Sequence, residues 1–401
     1  MIVTPKVRGF VCTTAHPEGC QKNVINQIDY IEKKGLISSE RPMPKKVLVI
    51  GASTGYGLAT RITAMAGLQA ATIGVFYEKE ASGKRTASPG YYNSYAFELE
   101  SKKRGIYSKS INGDAFSNEV KAEVVKVIKE DLGQVDLVVY SLASPRRVDP
   151  KTGEKYMSVL KPIAKTYTNK SIDITTGTVS DATIEPATEE EIRQTVKVMG
   201  GEDWTLWLDY LAQEGVLAEG AQTITYSYIG PEITRDIYRD GTIGKAKEDL
   251  EATAQQITQS LSAIHVTAHV VVAKALVTQA SAAIPIVPLY IGALYKVMKS
   301  KGTHEGCIEQ IARLFHEILS KNELLTDEVG RIRIDNYEMA EDVQAEALEL
   351  FRKVDSDNIY ELMDIHEYQN EFYALFGFGY EGIDYEKDVT IEREIENLIQ
   401  K

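Results

Sequence analysis

The chain has 401 residues, of which 43% are hydrophobic and 26% are charged, and its formal net charge is −13. These values are typical of a folded globular protein with one large α/β domain or two ordinary ones, and they exclude an intrinsically disordered chain. The negative charge disfavours broad electrostatic binding to nucleic acid. The most apolar stretch, at 283–295, contains prolines and is too short to span a bilayer, so we expect no membrane insertion.

The three cysteines, Cys12, Cys20 and Cys307, form no CxxC pair and are odd in number. A disulfide framework is therefore not expected, and free thiols are typical of a reducing compartment. His16 and Cys20 resemble half of a metal site, but no second ligand pair follows them, so we predict no metal centre. The N-terminus lacks an apolar run of signal-peptide length, and we expect a cytoplasmic protein.

From residue 45 onward, apolar runs of strand length alternate with patterns of helical spacing. The first unit, KKVLVIGASTGYGLATRITAMAG, reads as a strand, a glycine-rich turn and a helix. Three further strands are predicted at 71–79, 105–116 and 135–145, and a charged helix, NEVKAEVVKVIKEDLG, precedes the last of them. This alternation predicts an α/β fold with a doubly wound parallel sheet of the Rossmann type, helices on both faces and right-handed crossovers.

The remaining segments predict the domain organisation. Residues 221–230 and 268–278 are predicted as two more buried strands, although the second is also compatible with a helix. The stretch 146–190 is rich in Thr, Lys, Pro and Gly, which predicts an irregular insertion beside the cleft. We expect an N-terminal arm over 1–45, a nucleotide-binding and catalytic core over 46–300 and a helical C-terminal extension over 301–401.

The turn after the first strand, GASTGYG at 51–57, has the spacing GxxxGxG. Glycine lets the backbone turn sharply and lets a pyrophosphate approach closely, and the start of the following helix offers free amides to that anion. Alone, this spacing is also compatible with an ordinary tight turn. With a strand before it and a helix after it, the loop predicts dinucleotide binding.

Glu78 ends the second predicted strand, 21 residues after Gly57. At this separation a carboxylate accepts hydrogen bonds from the adenosine ribose hydroxyls of NAD and repels the 2′-phosphate of NADP. A solvated glutamate at a strand end is the alternative interpretation. Asp114 and Ala115, after the third strand, are expected to border the adenine, although Asp114 is equally compatible with a cap of the next helix.

Tyr238 and Lys247 stand nine positions apart in YRDGTIGKAK. On one continuous helix, nine steps of roughly 100° would place the two side chains on opposite faces. Apolar residues recur at three- and four-residue steps from 243 to 264, so a long amphipathic helix is predicted to begin near the second glycine, Gly244, with Lys247 in its first turns. Tyr238 precedes that helix, and Gly241 and Gly244 supply the freedom to fold it back. The alternative is that both residues lie on the surface of an ordinary loop and helix.

Six motifs carry a resemblance to a known family: GASTGYGLA at 51–59, VYSLASPRR at 139–147, VMGGEDW at 198–204, YSYIGPE at 226–232, YRDGTIGKAK at 238–247 and KALVTQASAAIP at 274–285. Together they resemble the NADH-dependent trans-2-enoyl-CoA reductases and the related single-chain enoyl-acyl-carrier-protein reductases. The likeness extends over nearly the whole chain. Those enzymes are enlarged short-chain dehydrogenases whose signature is a Tyr and a Lys separated by eight residues. Tyr238 and Lys247 fit that signature, whereas Lys245 does not.

The resemblance implies a mechanism and a set of site residues. Hydride passes from the nicotinamide of NADH to the β-carbon of an enoyl thioester, and Tyr238 holds the resulting enolate oxygen. Lys247 is expected to lower the pKa of that phenol and to bind the nicotinamide ribose. Tyr228 resembles a second, substrate-contacting tyrosine, with a core-edge aromatic as the alternative. The expected cofactor-binding residues are Gly51, Ala52, Ser53, Thr54, Gly55, Tyr56, Gly57, Tyr77, Glu78, Asp114, Ala115, Leu142, Ala143, Lys247, Leu276, Val277 and Thr278.

The apolar segment at 281–299 is expected to form a helix that serves both as core and as a wall of the acyl tunnel. No flavin fingerprint is visible in the sequence. The substrate is expected to be an enoyl-CoA, with enoyl-acyl carrier protein as the alternative. We expect a monomer, with a weak homodimer as the alternative.

Two other functions differ from this prediction in their sequence requirements. A carbonyl or sugar-nucleotide oxidoreductase of the same fold needs a Tyr-xxx-Lys pair, and no lysine stands four positions after Tyr226, Tyr228 or Tyr238. A non-catalytic NAD-sensing regulator would keep the glycine loop and would have no use for the Tyr/Lys pair.

Overall fold

The computed structural model describes residues 1–8, 11–174, 176–282 and 284–401. Its centre is a sheet of eight strands in the order β13-β12-β11-β6-β3-β4-β5-β14, and each neighbouring pair is parallel. These strands are β3 (Lys46–Ile50), β4 (Ala71–Phe76), β5 (Ser108–Asn112), β6 (Val135–Tyr140), β11 (Leu217–Ser227), β12 (Thr267–Val272), β13 (Ile332–Arg333) and β14 (Ile399–Gln400). The predicted doubly wound α/β fold is confirmed.

Helices cover both faces of the sheet, and this explains the uninterrupted apolar run of β3. Val47 and Val49 pack in one buried cluster with helices on one face of the sheet, whereas Leu48 and Ile50 pack in another cluster with helices on the opposite face. A parallel strand that is buried on both faces is apolar at consecutive positions and lacks the alternation of apolar and polar residues seen in half-exposed strands. The helices on or near the two faces are α1 (Pro17–Lys34), α2 (Gly55–Leu68), α3 (Pro89–Lys103), α4 (Asn118–Val127), α5 (Glu189–Met199), α6 (Glu202–Gln213), α7 (Glu232–Arg235), α8 (Thr242–Ser260) and α11 (Cys307–Arg313).

A third buried cluster combines residues from the N-terminal, middle and C-terminal parts of the chain. It is built around the helix α10 (Val287–Ser300), which is buried on all sides from residue 287 to 295. The elements of this region are α9 (Gln279–Ala282), α10 (Val287–Ser300), α12 (Glu341–Lys353), α13 (Ile359–Leu362) and α14 (Ile365–Ala374). The helix predicted over 281–299 therefore forms as α9 and α10, and residue 283 of that prediction lies outside the described residues.

The stretch 146–190 differs from the prediction, because it forms two antiparallel hairpins instead of irregular chain. β7 (Arg146–Val148) pairs with β8 (Lys155–Met157), and β9 (Tyr167–Asp173) pairs with β10 (Thr178–Ile184). The second hairpin is anchored to α7, since the hydroxyl of Tyr167 donates to the carbonyl of Ile233 at 2.6 Å. Two short N-terminal strands, β1 (Val7–Arg8) and β2 (Val11–Cys12), also pair antiparallel.

Two further details correct the predicted elements. β12 ends at Val272, so residues 273–278 form a loop after the strand; the helical alternative for 268–278 is wrong for its first half. Chain segments of π-helix, Ile128–Leu132 and Leu314–Leu319, extend α4 and α11.

Among the described residues, no helix has the length and apolar character needed to cross a bilayer. The division into arm, core and extension stays a prediction.

Candidate active site

The glycine loop joins β3 to α2, and close backbone contacts leave no room for side chains at two of its glycines. Gly51 has a φ of +89°, and a Cβ on it would lie 2.0 Å from the carbonyl oxygen of Ser141. A Cβ on Gly57 would lie 1.9 Å from the carbonyl oxygen of Gly51. The side chain of Thr54 does not cap α2, so the amides of the first helical turn are left for an anion.

The other loop residues fix the loop to the body. The amide of Ala52 donates to the carbonyl of Val75 at 3.0 Å, and Gly55 takes a φ of +55°. The ring of Tyr56 stacks on that of Tyr226 at a centroid distance of 5.2 Å. Its hydroxyl donates to the carbonyl of Lys274, at 3.2 Å, so it ties the loop to the segment after β12.

Glu78 follows β4 and lies beneath the glycine loop. The hydroxyl of Ser53 donates to Oε1 of Glu78 at 2.7 Å, and the side-chain amide of Asn93 donates to the Ser53 carbonyl at 3.1 Å. A Cβ on Gly90 would lie 2.0 Å from the same carboxylate oxygen, so only glycine leaves space for it. Burial raises the pKa of Glu78. Glu78 is half-buried and hydrogen-bonded to the glycine loop, which disfavours the fully solvated alternative, whereas Tyr77 beside it is 74% exposed.

The predicted adenine-side residues lie in the turn after β5. One carboxylate oxygen of Asp114 accepts from the amide of Phe116 at 3.0 Å, and α4 is capped by the hydroxyl of Ser117. The alternative role of Asp114 as a cap of this helix is therefore wrong. Ala115 is buried, and its carbonyl accepts from the indole of Trp207 at 3.1 Å.

Leu142 and Ala143 follow β6 beside the glycine loop. The amide of Ser141 donates to the carbonyl of Ile50 at 2.8 Å, and Leu142 is half-buried against Gly51. Ala143 is exposed. The turns after β3, β4, β5 and β6 thus meet along one edge of the sheet, because parallel strands end at the same edge.

The segment around Tyr238 turns back at Gly241, and α8 begins at the next residue, Thr242. Gly244 lies inside the helix, so the break predicted at both glycines occurs at Gly241 alone. A Cβ on Gly244 would lie 1.8 Å from the carbonyl oxygen of Arg239 and 2.7 Å from that of Tyr238. The tyrosine segment therefore crosses the first turn of α8 in direct backbone contact.

Tyr238 and Lys247 both contact the carboxyl end of β11. The Tyr238 ring packs edge-on against the Tyr228 ring, with centroids 4.8 Å apart. The ammonium of Lys247, whose side chain is buried, donates to the carbonyl of Tyr226 at 3.2 Å. The interpretation of the pair as two surface residues is therefore wrong.

The electrostatics of the pair differ from our expectation. Burial raises the pKa of Tyr238, and burial also lowers the pKa of Lys247 to about 8 against an opposing effect of Glu251. The expected lowering of the Tyr238 pKa by Lys247 is wrong for this state, because the phenol is desolvated and the ammonium is directed at a main-chain carbonyl. Among the residues that the structure describes, none hydrogen-bonds to the Tyr238 hydroxyl.

One buried carboxylate of this region was missed by the sequence analysis. The hydroxyl of Tyr228 donates to Oε1 of Glu338 at 3.0 Å, and the hydroxyl of Tyr290 donates to the same oxygen at 2.7 Å. The amide of Ala275 donates to Oε2 at 2.7 Å. Glu338 stands in an acidic stretch in which no local pattern separates it from its solvated neighbours, so no sequence signal identifies it.

The loop after β12 is held by side chains of the third cluster. The amide of Val277 donates to the hydroxyl of Tyr295 at 3.2 Å. The hydroxyl of Ser281 donates to the carbonyl of Leu276 at 2.7 Å and accepts from the amide of Thr278 at 2.9 Å. The three residues predicted to face the nicotinamide therefore form a braced loop at the same sheet edge.

The residues of the supposed half metal site have structural roles. Nδ1 of His16 accepts from the amide of Gly19 at 3.2 Å and so caps α1. Cys20 is buried, and it is a free thiol, as are Cys12 and Cys307. Within the described part of the chain, no group of three or more His, Cys, Asp or Glu residues is arranged to hold a metal ion.

Comparison with known proteins gives three family matches along the chain. Residues 2–83 match the NAD(P)H binding domain of trans-2-enoyl-CoA reductase, and residues 85–320 match the trans-2-enoyl-CoA reductase catalytic region. Residues 326–389, named here the C-terminal segment, match the enoyl reductase FAD binding domain.

Relatives and solved structures align over almost all of the chain. The enoyl-acyl-carrier-protein reductase (NADH) of Cytophaga hutchinsonii is 57% identical over 400 residues, which is 100% of both chains. The trans-2-enoyl-CoA reductase (NADH) of Ruminiclostridium cellulolyticum is 56% identical over 398 residues, 99% of this chain and 100% of the relative. The crystal structure of Treponema denticola trans-2-enoyl-CoA reductase in complex with NAD is 50% identical, with a TM-score of 0.94 and coverage of 99% of this chain and 100% of that one.

The third match implies a flavin, and the C-terminal segment does not fit one. It contains 18 Asp and Glu residues but 5 Lys and Arg residues. Its helices α12, α13 and α14 each carry an acidic residue in the first turn, which repels a diphosphate from the helix N-termini. No glycine-rich turn joins a strand to a helix in 326–389, all of which the structure describes. The segment instead packs on α10 as part of the third cluster.

The catalytic-region match alone covers more than half of the chain. The similar proteins span both ends of it, at identities of 50% and above, and the solved structure has the same fold. The chain belongs to the trans-2-enoyl-CoA reductase family, a family of NADH-dependent oxidoreductases.

Proposed function

We propose that this protein reduces the trans-2 double bond of enoyl-CoA thioesters with NADH, as in the conversion of crotonyl-CoA to butyryl-CoA. One observation carries the residue assignment: the Tyr238 hydroxyl is half-buried beside Tyr228 and has no hydrogen-bond partner among the described residues. A phenol with a free donor, at the sheet edge where the nucleotide loops meet, is suited to bind an oxygen that gains negative charge.

The electron flow of the reduction assigns the roles of Tyr238 and Lys247. When bound, NADH supplies a hydride to the β-carbon and leaves as NAD⁺. The π electrons of the double bond then move towards the thioester carbonyl, whose oxygen becomes an enolate. Tyr238 donates a hydrogen bond to that oxygen, which contributes about 3 kcal/mol of transition-state stabilisation. Lys247 donates to the nicotinamide ribose, and the α-carbon takes its proton from solvent.

The cofactor is bound along the sheet edge. The first-turn amides of α2 hold the pyrophosphate, and Glu78 accepts from the adenosine ribose hydroxyls and repels a 2′-phosphate. Asp114 and Ala115 border the adenine, with Tyr77 exposed beside Glu78. Leu142 and Ala143, with the backbone of Leu276, Val277 and Thr278, form the nicotinamide side.

Charge pairing favours CoA over acyl carrier protein as the carrier. An acidic carrier protein needs an unpaired basic patch. The basic stretch 102–104 is instead paired with acids: Lys102 with Glu396, Lys103 with Glu100, and Arg104 with Glu32 and Glu100. Arg147 is buried against Glu202, whereas its neighbour Arg146 is exposed and has no ion pair among the described residues. A single exposed arginine at this position is not a basic patch. The enoyl-acyl-carrier-protein reductase of fatty-acid synthesis remains the second candidate function, because relatives of similar identity bear both names.

Two general properties belong to the proposal. All three cysteines are free, which supports a reducing, cytoplasmic location. A monomer is the proposed functional unit, with a weak homodimer as the alternative.

The test compares turnover of matched C4 and C12 enoyl groups on CoA and on acyl carrier protein with NADH. We expect a higher kcat/KM on CoA. Tyr238→Phe should lose at least about a hundredfold in kcat while still binding NADH, because one donor to the enolate is removed. Tyr107→Phe is the matched control, since its hydroxyl bonds Asp131 beside β5, away from the cleft. Wild-type turnover by Tyr238→Phe would contradict the assignment, and a preference for the carrier protein would contradict the choice of CoA.

A further inference from the structure

Glu338 is a carboxylate with no solvent exposure, and it belongs to the C-terminal segment that matches a flavin domain. Both of its oxygens are occupied. Oε1 accepts from the phenols of Tyr228 and Tyr290, and Oε2 accepts from the amide of Ala275. A buried carboxylate keeps its charge only when donors replace the lost water, and three donors converge on this one.

The partners of Glu338 are parts of the proposed active site. Tyr228 packs edge-on against Tyr238, and Ala275 lies in the loop after β12 that continues to Val277. While Glu338 is ionised, it accepts a hydrogen bond from the Tyr228 hydroxyl, so that the Tyr228 oxygen is left to act as an acceptor. The Tyr238 hydroxyl is then the free phenolic donor of the pair. The carboxylate therefore separates the roles of two adjacent tyrosines.

We propose that Glu338 is a positioning residue for the reduction, which fixes the Tyr228 ring against Tyr238 and anchors the loop after β12 through the Ala275 amide. The inference rests on the proposed function, because it concerns the geometry of the same site. It also gives the C-terminal segment a role in the reaction that needs no flavin.

The groups around Glu338 determine the pH dependence of this role. From the loop after β12, Lys274 faces it as a cation, although burial lowers the pKa of this lysine to about 8. Tyr228 at the end of β11, Tyr290 in α10 and Tyr56 in α2 face it as neutral phenols. Gln344 of α12 donates to its main-chain carbonyl at 2.7 Å and adds no charge. Burial raises the pKa of Glu338 above its ordinary value, and Lys274 and the three donors oppose this. Because the ionised form positions the tyrosine, activity is lost as the pH falls through this raised pKa.

The main variant is Glu338→Gln, which keeps the shape of the side chain and removes its charge. The amide nitrogen has to face the phenols, because the Ala275 N–H requires the amide oxygen as its acceptor. We expect kcat for crotonyl-CoA to fall by about 10-fold to 100-fold through the loss of positioning. The dissociation constant of NADH should change by less than about threefold, which nucleotide fluorescence measures. The acidic limb of the wild-type kcat/KM profile should be absent in this variant.

Two further variants separate positioning from general damage. Asp335→Asn removes another buried carboxylate three residues earlier, one that pairs with Arg333 at 2.6 Å and whose side chain hydrogen-bonds to no proposed site residue within the described part of the chain. It should leave the acidic limb unchanged. Tyr290→Phe removes one hydrogen bond that lowers the pKa of Glu338, so the acidic limb should move to higher pH while Tyr228 keeps its partner. This variant also tests the proposal if Glu338→Gln fails to fold.

The outcomes distinguish the two proposals. An active wild type, together with a Glu338→Gln variant that keeps its kcat and acidic limb, would overturn the inference and leave the proposed function intact. An unmoved limb in Tyr290→Phe, or the same loss of the limb in Asp335→Asn, would also overturn the inference. A wild type that binds NADH and does not reduce crotonyl-CoA or the matched carrier-protein thioester would overturn both proposals.

Discussion

Lys247 is a buried cation with few partners. Its ammonium donates to the Tyr226 carbonyl, and Glu251 is the acid that partly offsets the loss of hydration. An ammonium has three donors, so two are left for a ribose hydroxyl and for water. Burial brings its pKa down to about 8, within reach of ordinary assay conditions. Lys247 therefore changes its protonation state within the pH range of an ordinary assay.

We expect kcat/KM for an enoyl thioester to fall as the pH rises through about 8. Lys247 is charged below its lowered pKa and neutral above it, and the neutral amine binds the ribose less strongly. Tyr238 does not titrate in this range, because burial raises its pKa. Lys247→Arg stays charged, so its basic limb should vanish although its rate falls by about tenfold. A basic limb that persists in Lys247→Arg, measured by pH–rate profiles, would assign that limb to another group.

At the scale of elements, the crossing of Tyr238 over α8 depends on Gly244. A Cβ at this position would lie 1.8 Å from the Arg239 carbonyl oxygen, so the crossing backbone has to move. We expect Gly244→Ala to lower kcat by about a hundredfold and to destabilise the fold by about 1–3 kcal/mol. Gly67→Ala is the control, because its nearest neighbour is the side-chain end of Ile37 at 2.9 Å. Kinetics and denaturant unfolding measure the two effects, and equal kcat values in both variants would contradict the proposed crossing.

The elements that the sequence predicted are those with strong local patterns. β3 and its glycine turn, β6 and the start of α8 were all recognised, since apolar periodicity and glycine spacing act over a few residues. The hairpins in 146–190 were missed because Thr and Lys on half-exposed strands resemble loop composition. Glu338 was missed for a different reason: its partner Tyr228 lies 110 residues away along the chain, so only folding brings the two together.

The same distinction applies to the catalytic pair. The spacing of Tyr238 and Lys247 predicted that a continuous helix could not join them, and the structure places the helix start between them, at Thr242. The pKa shifts of these two side chains were not predictable from the spacing. The pKa of Tyr238 depends on how much water the surrounding core excludes, and that core includes residues from three separate parts of the chain.

At the scale of the whole molecule, negative charge is concentrated in one region. The 18 acids and 5 bases of the C-terminal segment leave it with an excess of acids equal in size to the net charge of the whole chain, −13. The segment is nevertheless part of the core, because residues of α12 and α14 pack in the third cluster with α10. Glu338 points inward from it, whereas most of its other acids face outward. A region with this charge distribution is poorly suited to binding a dinucleotide, because its acids repel the diphosphate.

We therefore expect the purified protein to carry no flavin and to gain no stability from added FAD. NADH should raise Tm by mass action, by an amount equivalent to about 2.7 kcal/mol at a concentration 100 times its dissociation constant. FAD at the same concentration should leave Tm unchanged, because the acidic first turns of α12, α13 and α14 repel its diphosphate. Thermal unfolding with each nucleotide, together with the visible absorption spectrum, measures both effects. A flavin spectrum that survives desalting, or a Tm that rises with FAD, would contradict the prediction that the C-terminal segment binds no flavin.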